Sequence, residues 1–150
     1  MRGFNALFVI GLLLLSSCYK ENRLADKLAG TWQINELQWA NGSFVDVSAD
    51  KHKIEFFGCE MAYTSTCEGV YHLDYADTLK KDLLDTFQFD IKDEELAVTS
   101  VKTTLSSNQY VVQFLRQRFQ IEDLDDSNLY LKRIKTFKDS TDGFLKATKL

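Results

Sequence analysis

Proline is absent from this 150-residue chain, histidine occurs twice and cysteine three times. No proline, low-complexity tract or internal repeat marks a domain boundary, so a single domain is the economical reading. Basic residues are not in excess, with 18 Lys and Arg against 22 Asp and Glu. That balance argues against nucleic acid as a partner and against docking on anionic lipid by charge alone. No apolar run is long enough to span a bilayer as a helix, which takes about 20 residues. Gly-x-Ser-x-Gly, His-Glu-x-x-His, P-loop and Rossmann glycine patterns are all missing, so neither an enzyme nor a cofactor is expected. His72 alternates with apolar neighbours and is expected to face solvent beside Asp74. His52, in "DKHK", reads as a polar turn residue. Asp123, Asp125 and Ser127 have calcium-loop spacing, but Asn128 and Ile134 occupy positions that need glycine and a bidentate glutamate. A solvated turn is expected there, and no metal. Glu94 and Glu95 read as turn charges.

The longest uncharged apolar stretch is Ala6 to Leu15, "ALFVIGLLLL", after a start made positive by Arg2. Ten residues suit the central region of a secretory signal peptide. The next four residues, Leu15-Ser16-Ser17-Cys18, resemble the lipobox of bacterial lipoproteins, where a cysteine is lipidated and becomes the new amino terminus. The resemblance implies a signal peptide over 1–17, a lipidated terminus and polar linker over 18–27, and a folded domain over 28–150. It also implies membrane attachment through several acyl chains on Cys18, a stable anchor at about 0.8 kcal/mol per buried methylene. Tyr rather than Asp at position 19 implies the outer membrane, by similarity to the enterobacterial sorting rule. "YKEN" is loosely similar to export tags of surface lipoproteins in Bacteroidetes-like bacteria. The face of that membrane stays open.

Loss of the signal takes Arg2 and leaves 17 basic against 22 acidic residues, a net charge of −5. Cys59 and Cys67, in "FFGCEMAYTSTCEG", would then reach an oxidising compartment, where a pair tends to close. A disulfide is expected, with a metal site involving His52 or His72 as the alternative. The metal reading lacks the close cysteine pairs of structural zinc sites.

Alternation dominates the rest. Phe87, Phe89 and Ile91 share one face; so do Tyr71, Leu73 and Tyr75, and Leu129, Leu131 and Arg133. "KDEE" and "DDSN" read as hairpin turns. The runs predict about eight strands, near 31–39, 52–58, 69–75, 86–92, 95–102, 110–115, 118–124 and 128–134. Residues 76–86 and 108–119 also carry helical spacing; two strands with a bulge are preferred over 108–119. Sequential antiparallel strands remove their exposed edges by closing. The expected fold is therefore all-β, an antiparallel up-and-down β-barrel, with an open sandwich as the alternative.

"LAGTWQI", with Gly30 and Trp32, resembles the Gly-x-Trp opening of lipocalin-like domains. The layout from "GTW" to "YLKRI" is similar to small lipocalin-like lipoproteins of Bacteroidetes-like bacteria. In that family the tryptophan closes the barrel floor beneath an arginine from near the last strand, a role the resemblance gives to Arg133. A second Thr-Asp-Tyr-like motif and the C-terminal helix of secreted lipocalins are not evident. Trp39, Phe56, Tyr71, Leu73, Phe87, Phe89 and Ile91 are candidates for either pocket wall or core filling. Two functions stand side by side: a tethered barrel holding a small hydrophobic ligand, and a non-catalytic accessory subunit partnered with an envelope protein.

Overall fold

A computed structural model describes residues 20–39, 42–47, 50–59, 66–76, 83–103, 114–134 and 143–150. The described strands are β1 (Gly30–Gln38), β2 (Phe44–Val45), β3 (Lys51–Phe56), β4 (Cys67–Asp74), β5 (Leu83–Lys92), β6 (Glu95–Thr103), β7 (Arg118–Leu124), β8 (Asn128–Arg133) and β9 (Phe144–Lys149). From β3 onward each pairs antiparallel with the next in sequence, and β9 returns to pair with β1. The result is a closed barrel of eight strands, with the two-residue β2 bonded beside the second half of β1.

Period-two patterning explains which side of each strand turns inward. Leu83, Asp85, Phe87, Phe89 and Ile91 of β5 are buried and alternate with outward residues. Cys67, Gly69, Tyr71 and Leu73 of β4 do the same, as do His52, Ile54 and Phe56 of β3. On β1 the inward residues are Trp32 and Ile34 and then Leu37. The change of phase falls at a register shift between Ile34 and Glu36. Further shifts lie at Gln88/Phe89 and Ile121/Asp123. Bulges of this kind add the local bend and twist that closure requires. Each apolar side chain so buried contributes about 1.5–3 kcal/mol relative to exposure.

The two ends of the barrel differ. At one end, here the floor, strands are joined by short turns. Asp93 and Glu94 both have positive φ, 52° and 66°, as a two-residue type I′ hairpin demands. The β7–β8 turn is held by the Asp125 carboxylate, which accepts from the backbone N–H groups of Ser127 and Asn128 at 2.7 Å each. The β3–β4 connection also lies at the floor and is closed by a Cys59–Cys67 disulfide, with Cα atoms 5.7 Å apart. At the other end, the mouth, lie the connections from β1 to β3, β4 to β5, β6 to β7 and β8 to β9.

Several expectations change here. Residues 20–28 are helical rather than a polar linker, with Ala25 and Leu28 buried. Within the expected strand 110–115, Phe114 and Leu115 form a buried helical turn, and 110–113 lie outside the described residues. Residues 83–86 belong to β5, while 77–82 lie outside. β9 was not anticipated, although it closes the barrel. Cys18 and the expected signal segment over 1–17 also lie outside the described residues.

Candidate functional site

The floor is built around Trp32. Its indole N–H donates to Leu28 O at 2.7 Å, tying the C-terminal end of the 20–28 helix to β1. Above the ring lies the Lys149 ammonium, 5.1 Å from its centre, which also donates to Lys27 O at 3.2 Å. A cation there meets both an indole face and the negative end of a helix. Gly30 makes the arrangement possible. Its φ is +124°, and a Cβ at that position would stand 2.9 Å from Lys149 Cε.

The cation over Trp32 is therefore Lys149 rather than Arg133. The reason is topological: the strand that closes onto β1 is β9, and Trp32 pairs with Lys149 in that ladder. Arg133 lies at the opposite end of the β8–β9 ladder. Lys149 N–H bonds Ser127 O, whereas Arg133 N–H bonds Gly143 O. Arg133 is buried, and its Nε donates to Gln117 Oε1 at 3.0 Å.

Of the pocket candidates, Phe56, Phe87 and Phe89 pack on one another with ring centres 5.2 to 5.9 Å apart. Phe87 also lies on Gly69, where a Cβ would come within 2.4 Å of the ring and 2.6 Å of Glu55 O. Trp32, Phe56 and Phe89 are each no more than 1 % exposed. A hollow wide enough for water would expose the side chains lining it, so these faces are packed on protein. Ile91 is buried near the β5–β6 turn.

Tyr71, Leu73 and Trp39 fall in the mouth half, and there the wall changes character. His52 of β3, Tyr71 of β4 and Asp85 of β5 are inward, polar and buried to 4 %, 0 % and 0 % exposure. His52 Nδ1 and the Tyr71 hydroxyl are 2.6 Å apart. Asp85 is the direct cross-strand partner of Tyr71. Burial holds the His52 pKa below its ordinary value, with Asp50 pulling it the other way. Burial also pushes the Tyr71 hydroxyl far above its ordinary range, reinforced by Asp85 and then Tyr75. A neutral imidazole is thus set against a protonated phenol, and His52 Nδ1 and the Tyr71 hydroxyl share one hydrogen bond. Trp39 meets Phe114 edge-on at 5.4 Å, and Phe114 packs on Phe119 at 5.1 Å.

Sequence reading placed His52 in a turn and left Asp85 outside any strand. The missed signal is parity, since His52 is in phase with Ile54 and Phe56, and Asp85 with Phe87 and Phe89. His72 is on the outer face, with Nε2 3.5 Å from Glu55. Among the described residues, no three His, Cys, Asp or Glu side chains gather as metal ligands.

An up-and-down barrel with a floor tryptophan under a cation, and a mixed polar and aromatic mouth, defines a small barrel of the lipocalin type. The chain belongs to the lipocalin-like domain family, whose family model matches residues 13–137. Among solved structures it is similar to a lipocalin-like protein from Bacteroides uniformis. That likeness has 18 % identity and a TM-score of 0.50, and covers 83 % of this chain and 99 % of the other. It is also similar to EF1p2_mFAP2b bound to DFHBI, at 10 % identity and a TM-score of 0.45, covering 85 % of this chain and 96 % of that one. No curated protein matches the chain.

Proposed function

We propose that this protein is an outer-membrane lipoprotein, tethered through Cys18, whose barrel binds a small hydrophobic ligand at the mouth. The lipocalin-like fold is typically one that binds rather than catalyses, and such a barrel is compatible with a hydrophobic ligand. The observation that carries the reading is the change of wall along the barrel. Both halves are closely packed, but the floor half is aromatic, whereas the mouth half sets the polar Tyr71, His52 and Asp85 among Leu73, Leu83 and the half-buried Trp39. Ligand sites commonly join an apolar lining to a few converging polar groups.

Trp39 is half-buried at the mouth and Trp32 wholly buried at the floor, so the two indoles report different ends. An apolar fluorophore titrated into the delipidated domain is expected to change tryptophan emission, and Trp39→Phe is expected to abolish most of that change. Native mass spectrometry should show a one-to-one complex. A panel of apolar probes giving neither signal would sink the reading.

A second reading has its own support. Phe44 is 69 % exposed and stands 6.0 Å from Phe144, which in turn meets Tyr130 at 6.0 Å. This outer aromatic strip favours an accessory role against an envelope protein, and cross-linking from Phe44 in intact cells tests it.

A further inference from the structure

The helix over 20–28 fixes where the chain leaves the barrel. Its C-terminal end is held at β1 and β9 by the bonds from Trp32 to Leu28 O and from Lys149 to Lys27 O. Its first residue, Lys20, pairs at 2.9 Å with Glu94, in the turn between β5 and β6. Ala25 and Leu28, on its inner side, are buried. The helix therefore lies across the floor. Nine residues at about 1.5 Å each reach roughly the width of a small barrel.

Cys18 precedes Lys20 by two residues. Even fully extended, two residues reach about 7 Å. That length cannot carry the chain along the side of a barrel whose strands rise about 20 Å. Resting on the anchor reading above, we propose that the floor end lies against the bilayer that Cys18 enters, and that the mouth opens away from it into the aqueous compartment.

The occupant of the floor face is thus the headgroup layer of the protein's own membrane. The exposed side of the helix suits it, since Lys20, Arg23 and Lys27 recur there at helical spacing beside Asp26. The acidic turn residues Glu94 and Asp125 lie near Lys20 and Lys27 and moderate that charge. The short lipid tether, rather than charge, sets the orientation. One consequence concerns the ligand: the mouth exchanges it with the aqueous phase or with a partner across the gap, not by dipping into the anchoring bilayer.

The test uses the lipidated full chain in vesicles of phosphatidylethanolamine and phosphatidylglycerol that carry a nickel-chelating lipid. Single spin labels are placed by Asp126→Cys at the floor and by Phe44→Cys or Leu84→Cys at the mouth. Relaxation of the floor label by surface nickel is expected to exceed that of both mouth labels several-fold. Equal relaxation, or a stronger effect at the mouth, overturns the orientation while leaving the anchor intact. If the wild-type chain does not float with the vesicles, or Cys18→Ser floats equally well, the anchor fails and takes the orientation with it.

Discussion

A histidine inside an otherwise apolar barrel costs stability unless its ring atoms are satisfied. His52 meets that demand through Tyr71, 2.6 Å away, in a site where burial disfavours the charged imidazolium. The folded state holds the His52 pKa below its ordinary 6.5, chiefly through burial. The unfolded chain therefore binds this proton more readily. Stability from neutral His52 is full above the unfolded value and falls as pH drops through it toward the folded one. Urea midpoints measured on either side of pH 6.5 should show a larger acid-side loss in the wild type than in His52→Gln. An equal loss in both would mean that His52 is not the group responsible. At this scale the sequence was partly legible. Tyr71 was visible as an inward residue because apolar neighbours repeat around it. His52 was hidden by Lys51 and Lys53 on either side of it, and Asp85 because it is a charged residue at an inward position beside an apolar, outward Leu84, although both obey the parity of β3 and β5.

Elements with strong local signals were legible, and those formed by tertiary contact were not. The β5–β6 and β7–β8 hairpins announce themselves through turn chemistry. β9 does not: "FLKATK" offers Leu145 and Ala147 as its buried pair, and its other residues read as a polar tail. Its strand character comes from pairing with β1 and β8 together. The 20–28 helix was likewise obscured by charge, although Leu24, Ala25 and Leu28 fall on one side of it. Missing β9 shifted the floor cation to Arg133. The two assignments separate in a Trp39→Phe background, where Trp32 alone emits. Lys149→Met keeps the aliphatic stem and removes the ammonium. It is expected to shift Trp32 emission and cost about 0.5–2 kcal/mol in urea unfolding. Arg133→Met is expected to destabilise through its lost bond to Gln117 while leaving the emission in place. The reverse pattern would restore Arg133 to the floor.

For the whole molecule, closure is the decisive event, because a barrel one strand short has two edges instead of none. β9 bonds β1 over Trp32 to Gln38 and β8 over Asn128 to Lys132, so it is the seam between the first and last parts of the chain. The disulfide acts elsewhere, across the β3–β4 connection, where a ring of this size contributes about 2–3 kcal/mol. It cannot substitute for the seam. The family match ends at residue 137, before β9 begins, so likeness alone does not establish that this strand is needed. The physical argument does. A chain ending at residue 142 would leave the facing edges of β1 and β8 unpaired and uncover Leu37, Leu129 and Leu131. With the disulfide intact, that chain is expected to run as soluble oligomers on size exclusion, bind an apolar dye strongly and unfold without a sharp transition. A truncated monomer that still unfolds cooperatively would show that seven strands close without the eighth, and that Trp32 keeps the floor shut without Lys149.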